Sequence, residues 1–499
     1  MTENTREERP EQEQVRFAKL DRLRESGWAF PNDVKVDAHC NDLLSESVSD
    51  PSNARRFTIA GRMVQQRLMG KASFVHLLDG SGKLQVYVRK DDVGSEQYDE
   101  FKTFDLGDIL EVRGYLFDTK TGERTLYAES VRLLTKCLVP LPEKFHGLAD
   151  VEARYRQRYL DLISNPEGRD TFRKRAAIIQ GVREFLNDQG YLEVETPVLH
   201  HHAEGAEARP FKTHHNALDS EMVLRIALEL PLKKLVVGGL ERVYEIGRVF
   251  RNEGLSKKHN PEFTMLEFYQ AYATFEDLMT LTENLLRSVV QKVLQRSSFQ
   301  YGDHEIDLSK PFLRISMLDS VHELGGISRD VDLTDLREVQ KILEVREIEC
   351  EDPNDWGRGL EALWDELVEP KLIQPTFITH HPRSISPLSR ANSENPQVVD
   401  RFELIVCGME LANAFSELND PEDQRERFLQ QARAKGEEHI ADDFVRALEY
   451  GLPPTGGEGI GIDRLVMLLT NSQTIRDILL FPQLRQREEN RGEGELPSS

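Results

Sequence analysis

Residues 243–272, VYEIGRVFRNEGLSKKHNPEFTMLEFYQAY, constrain this chain more than any other stretch. Both ends are rich in apolar residues and the middle is polar and charged. The pattern predicts two strands joined by a long loop, Asn252 to Glu262, which carries Glu253, Lys257, Lys258, His259 and Asn260. Side chains alternate along a strand, so Glu267 and Tyr269 share one pleat face. A charged loop between two strands is costly unless it grips something. Arg251 at the end of the first strand and Phe263 at the start of the second point to an anion and a flat ring. The hairpin therefore reads as the floor of an active site.

With 499 residues there is room for about three domains, or for one large mixed domain and a small one. No run of about 18 apolar residues predicts a membrane span. The N-terminus, MTENTREERPEQEQ, lacks the apolar stretch of a secretory signal. Cys40, Cys137, Cys350 and Cys407 lie far apart without CxxC spacing, which argues against both a zinc site and a disulfide framework. A soluble, cytoplasmic protein is expected. The net charge of −23 opposes a polyanionic partner overall. Locally the balance reverses: eight Lys and Arg between Arg55 and Lys90 face one acid, Asp79, so this segment is suited to RNA.

In chain order, residues 1–54 read as an N-terminal arm, disordered over 1–10, with a helix over 11–27 that places Val15, Leu20 and Leu23 on one face and stops at Gly27. Residues 57–135 contain five short strands punctuated by turn signals, as in a small barrel of the OB type. Its second and third strands carry Phe74, His76, Gln85 and Tyr87 within the basic segment; a basic groove with aromatics stacks single-stranded bases, and Phe74 reads equally well as a core residue. The barrel is bounded at 55–137, with a linker over 138–170, a large domain over 171–487 and a disordered tail over 488–499. Residues 171–189 predict a helix, and YLEVETP a strand ending at Pro197. The five histidines of HHHAEGAEARPFKTHH lack zinc-site spacing and read as a loop near a ligand. Glu229, inside the apolar run 223–240, must be ion-paired or functional. Residues 298–370 suggest no chemistry. Glu403, Glu410, Asn413 and Glu417 are embedded in apolar strands, which suits a hard cation or a cationic substrate. GGEGIGIDR reads as a glycine turn opening a helix, with Arg464 in its first turn placed to hold a phosphate.

These segments resemble a known family. FRNEG with HNPEFTMLEFY, GIGIDR, and the helix and strand ending at Pro197 resemble motifs 2, 3 and 1 of the class II aminoacyl-tRNA synthetases. GAEARPF, THHNAL, RIALEL, LKKLVVGG, ANAFSELND and TIRDILLFP are similar to its lysyl branch, and the resemblance runs from about residue 55 to 485. It implies an α+β fold: a class II catalytic domain built on an antiparallel sheet, with an N-terminal OB-fold β-barrel that binds the anticodon. It implies a homodimer, no membrane, and three substrates: L-lysine, ATP and tRNA(Lys). Arg251 and Arg464 are the implied catalytic residues. Glu253, His259, Asn260 and Phe263 join them in binding ATP, and Glu403 and Glu410 would hold Mg²⁺. Gly205, Glu229, Glu267, Tyr269, Asn413, Phe415 and Glu417 are the implied lysine pocket. Arg62, Phe74, Gln85 and Glu129 are the implied anticodon contacts. Two other readings are a lysine-adenylating relative acting on protein, which would lack the barrel, and an RNA-binding protein with a dead synthetase domain, which would lack Arg251, Arg464 or the metal carboxylates.

Overall fold

Alternate burial along the strands closes the N-terminal unit. Strands β1 (Phe57–Met69), β2 (Ala72–Leu78), β3 (Lys83–Arg89), β4 (Ile109–Asp118) and β5 (Arg124–Thr135) bury every second side chain over much of their length. They close into a barrel in the order β1-β2-β3-β5-β4, with β3 and β5 parallel and the other pairs antiparallel. Ile59, Val75, Val86, Leu110 and Leu126 fill its interior. A bulge at Arg113/Gly114 brings two backbones together, and a Cβ at Gly114 would lie 1.8 Å from the Tyr127 carbonyl oxygen, so only glycine fits. Helix α1 (Glu11–Glu25) precedes the barrel. Its buried residues are Phe17 and Leu20, whereas Val15 of the expected stripe is exposed.

The structure, a computed structural model, describes residues 6, 8–142, 150–206, 208–436 and 440–485. The expected tail at 488–499, residues 1–5 of the arm and residues 143–149 of the linker lie outside the described residues. The chain divides into two units, Met1–Ala149 and Asp150–Ser499.

The second unit is built on an eight-stranded sheet. Its strands are β6 (Leu192–Glu193), β7 (Arg242–Phe250), β8 (Glu262–Ala271), β9 (Leu313–Ser316), β10 (Thr376–Thr379), β11 (Arg401–Ile405), β12 (Glu410–Ser416) and β13 (Thr455–Gly461). The order is β9-β10-β11-β12-β13-β8-β7-β6. The six central strands are antiparallel and each edge strand is parallel to its neighbour. The expected strand over 191–197 is only β6, two residues long.

Helices α2 (Pro166–Asp188) and α4 (Phe275–Leu294) pack on one face of this sheet, and α3 (Glu229–Val237) precedes β7. Ile178, Val182 and Leu186 of α2 and Leu278, Leu285 and Val289 of α4 share a core with Leu266 and Phe268 of β8, Ala414 of β12 and Ile460 of β13. Because strands alternate, the residues between these on β8, β12 and β13 face the other way, into a cleft. GGEGIG is a strand here and not a turn. Held between β12 and β8, its glycines keep the cleft side of β13 free of side chains.

The core side of β13 carries Glu458, 1 % exposed. Thr282 Oγ1 lies 2.7 and 2.6 Å from its carboxyl oxygens and 2.7 Å from the Leu278 carbonyl oxygen. One hydroxyl proton cannot serve these acceptors together. A protonated Glu458 solves this by donating to Thr282, which donates to Leu278. Burial pushes the acid well above its usual range, with Thr282 pulling weakly the other way. The folded-state pKa is raised, so this stabilisation is complete below the unfolded value of 4.5 and is lost as pH rises towards the folded value. Relative to wild type, Glu458→Gln should gain about 1.4 kcal/mol of stability per pH unit above that value. Urea melts at several pH values check this, and a constant difference between about pH 5 and 8 would rule out the protonated state.

Candidate active site

A cleft of about 480 Å³ opens on the free face of β8, β12 and β13. Its inner part is acidic. Glu267 and Tyr269 share a face of β8, and the Tyr269 hydroxyl donates to Glu267 Oε2 at 3.0 Å. The Leu228 amide donates to Glu267 Oε1 at 2.9 Å, just before α3 begins. Glu229 opens α3 and forms a buried pair, 2.5 Å long, with Lys233 one turn on. Lys233 is also ion-paired with Glu417, which follows β12. Glu229, Glu267 and Glu417 are all buried. Burial, then the Glu229 carboxylate, pushes Glu267 up to about 7. Burial also raises Glu417, with Lys233 pulling down and Glu229 pushing up.

The walls of this end follow from the backbone. Gly205 has φ +86°, and a Cβ there would come within 3.2 Å of Ala227 and 3.6 Å of Glu229, so glycine brings the loop against the pocket. Gly457 of β13 is tighter: a Cβ would lie 2.1 Å from Glu417 Oε1 and 2.3 Å from the Tyr269 ring. Asn413 and Phe415 alternate on β12 and line the cleft. Arg401 on β11 donates to Asn413 Oδ1 at 3.0 Å and lies over the Phe415 ring.

The outer part of the cleft is cationic. Arg251 follows β7, stands over the Phe263 ring at 5.2 Å and donates to the Ile226 carbonyl. Arg464 lies in the first turn of α6 (Ile462–Leu469) and pairs with Glu410 at 3.2 Å. Its neighbour Asp463 fixes that turn, accepting from Arg175 of α2 at 2.5 Å and from the Thr264 amide at 2.8 Å. From the hairpin loop, Glu253, His259 and Asn260 line the same space. Burial and the Arg464 charge lower the His259 pKa, favouring the neutral ring. Asn260 is buried, its side chain donating to the Glu262 carbonyl at 2.7 Å.

Glu403 and Glu410 stand on adjacent strands, and Glu403 is ion-paired with Arg401. No cluster of three or more metal-binding side chains occurs among the described residues. The neighbourhood of Glu403 is nonetheless acidic. Burial pushes Asp365 up to about 7, reinforced by the Glu361, Glu369 and Glu403 carboxylates. This group, from a stretch in which the sequence suggested no chemistry, is visible only once the chain is folded.

On the barrel, Phe74 and Gln85 of adjacent strands are brought together with His76 and Tyr87. Phe74 and Tyr87 have ring centroids 4.8 Å apart, and Gln85 stands opposite His76. Gln85 donates to Glu123 at 2.8 Å and accepts from Thr125 at 2.8 Å. Two expected residues do not join them. Arg62 is bound to the Gly107 carbonyl, and Glu129 accepts from Arg56 at 3.0 Å. The arginine opposite Phe74 is Arg67, and the glutamate beside Gln85 is Glu123. Arg67 belongs to the basic stretch already noted; only the strand register singles it out.

A family model for tRNA synthetases class II (D, K and N) matches residues 150–485, and one for the OB-fold nucleic acid binding domain matches residues 57–134. Among curated relatives, the lysine--tRNA ligase of Bacillus subtilis (strain 168) is 52% identical over 97% of this chain and 99% of its own. That of Pectobacterium carotovorum subsp. carotovorum (strain PC1) is 52% identical over 95% and 96%, and that of Coxiella burnetii (strain Dugway 5J108-111) 50% identical over 96% and 98%. The chain belongs to the class II tRNA synthetases and, within them, to the lysine--tRNA ligase family.

The packing around Gly457 gives a direct test. If the acidic end holds lysine, Gly457→Ala should raise the KM for lysine by about tenfold or more, and that for ATP by less than about threefold, because the three atoms nearest the new methyl belong to Glu417 and Tyr269. Steady-state kinetics decide; equal losses for both substrates would show that the strand itself had moved.

Proposed function

We propose that the cleft joins L-lysine to ATP, giving lysyl-adenylate and pyrophosphate, and then passes the lysyl group to the terminal adenosine of tRNA(Lys). The observation that carries this reading is the polarity of the cleft: Glu229 and Glu267, with Glu417 buried against Gly457 beside them, at one end, and Arg251 and Arg464 at the other. Lysine has one ammonium more than a neutral amino acid and a long apolar stem. Glu267, Tyr269 and Glu417 receive the ε-ammonium, Phe415 lies along the stem, and Glu229 and the Gly205 carbonyl hold the α-ammonium. Asn413 orients the carboxylate towards Arg251.

In the first step a lysine carboxylate oxygen attacks the α-phosphorus and pyrophosphate leaves. In the second a hydroxyl of the terminal adenosine attacks the acyl carbon and AMP leaves. Arg251, already packed on Phe263, faces the α-phosphate and offsets charge developing there. The adenine stacks between Phe263 and Arg464, whose guanidinium reaches towards the γ-phosphate, while Glu253, His259 and Asn260 complete the nucleotide loop. Catalysis is by positioning and electrostatics, with no covalent enzyme intermediate.

Glu403 and Glu410 fit Mg²⁺: they are oxygen donors on adjacent strands in an acidic surround, and Mg²⁺ completes its shell with water and phosphate. When bound, the ion would neutralise charge on the phosphates. On the barrel, Phe74, Gln85, Arg67 and Glu123 form the anticodon face. Exposed Leu192, Val198 and Leu199, around Pro197, support pairing with a second copy of the chain. No helix among the described residues is long and apolar enough to cross a membrane, in keeping with action in the cytoplasm.

Lysine-dependent ATP–pyrophosphate exchange tests the reading, and equal exchange with ornithine or arginine would sink it. The KM for lysine should rise as pH falls through about 7, because protonated Glu267 no longer attracts a cation, and should rise strongly in Glu417→Gln at any pH. The KM for ATP serves as the control. Phe74→Ala should raise the KM for tRNA by about ten- to a hundredfold while leaving exchange intact, since one base stack contributes about 1–3 kcal/mol. A fall in exchange would show that Phe74 acts on the fold.

A further inference from the structure

We propose that Lys233 is a positioning residue for amino-acid recognition: its buried ammonium clamps Glu229 to Glu417 and so fixes the spacing of the two carboxylates that receive the substrate's two ammonium groups. The proposal rests on the lysine reading of the cleft. Lys233 is 0 % exposed, yet it does not line the cleft. It stands behind the pocket, one turn beyond Glu229 on α3, with Nζ 2.5 Å from Glu229 Oε1 and ion-paired with Glu417 Oε2. Phe444 of α5 (Asp442–Leu448) covers the ammonium, its ring centre 5.7 Å away.

Lys233 thus takes one oxygen of each carboxylate from behind and leaves the other for a ligand. Glu417 Oε1 has no hydrogen-bond partner among the described residues and lies against the bare Cα of Gly457. A buried acceptor without a donor is costly, and a substrate ammonium supplies the missing donor. The charges around the cluster support the same role. Glu267 and Tyr269 face it from β8 and Arg251 from the end of β7, while on α5 Asp443 turns outward to Lys234. Lys233 is one ammonium among three carboxyl groups, and the two ammonium groups of a bound lysine would bring two more cations to the cluster. Without Lys233 the two carboxylates would swing apart and Glu417 would lose the charge that keeps it ionised, so a cationic substrate would lose its acceptors.

The test is Lys233→Met in lysine-dependent ATP–pyrophosphate exchange between about pH 6.5 and 9.5. The KM for lysine should rise at least about tenfold near neutral pH and the KM for ATP stay within about threefold. The acid limb of kcat/KM for lysine should move up by at least about one pH unit, because Glu417 loses the cation that pulls its pKa down. An acid limb in its wild-type place, or lysine and ATP KM values rising together, overturns the proposal.

If Lys233→Met does not fold, Glu417→Gln is compared with Glu417→Gln/Lys233→Met, in which neutralising both partners removes the stranded charge. Addition of Lys233→Met should then change the KM for lysine by less than about threefold; a further loss of about tenfold means that Lys233 acts independently of Glu417 and overturns the proposal. Wild-type enzyme without lysine-dependent exchange would instead overturn the lysine reading itself.

Discussion

Three carboxylates buried in one pocket repel one another, and the catalytic unit depends on how that repulsion is contained. Each acid comes from a different element: Glu229 from α3, Glu267 from β8, Glu417 from the segment after β12. Their partners are what join these elements. Lys233 ties α3 to Glu417, and the Leu228 amide with the Tyr269 hydroxyl ties the start of α3 to β8. A buried ion cluster is weak evidence for stability, since desolvation offsets most of its Coulombic gain. Under the proposed reading its value lies in selectivity. A neutral amino acid would leave an acid without a cation, which is the costly error in such a site.

The same strands do two jobs by alternation. On β8, Leu266 and Phe268 build the core while Glu267 and Tyr269 build the pocket; on β13, Ile460 and Glu458 face the core while Gly457 and Gly459 face the cleft. A register slip of one residue would exchange the two sets. Core and site therefore specify each other, and the hairpin loop that brings Arg251 to Phe263 is held from both ends by strands that cannot shift.

Much of this was legible in sequence wherever the signal was local and periodic. The hairpin of 243–272, the five barrel strands, and the shared face of Glu267 and Tyr269 follow from period-two patterning. Glu229 stood out as an acid in an apolar run, and Lys233 lies at i+4 from it, a spacing that marks a pair on one helix face. That this lysine also reaches Glu417 is long-range and left no local trace. GGEGIG misled because glycine ordinarily marks a turn; here it marks a strand pressed against side chains from both neighbours. On the barrel, the expected Arg62 shares β1 with Arg67, and the expected Glu129 lies on β5, which Glu123 immediately precedes; only the β1–β2 register and the fold of the Thr121-Gly122 turn decide which of them meet Phe74 and Gln85. The acids around Asp365 lie on and just after a helix whose apolar face, Leu360, Leu363 and Trp364, reads as core, and no motif marks its polar side.

The degree of burial also separates the two recognition events by their response to salt. Charges at the inner end of the cleft are sealed from solvent, so mobile ions cannot enter between Glu417 and its cation, and screening leaves that interaction nearly intact. On the barrel, Arg67 is exposed and Phe74 and Gln85 are only half-buried. Contacts made there to a polyanion displace condensed counterions and weaken steeply as ionic strength rises. Under the proposed reading, a single change in the medium acts on the choice of RNA and leaves the choice of amino acid almost untouched, because one is read at the surface and the other in a buried pocket.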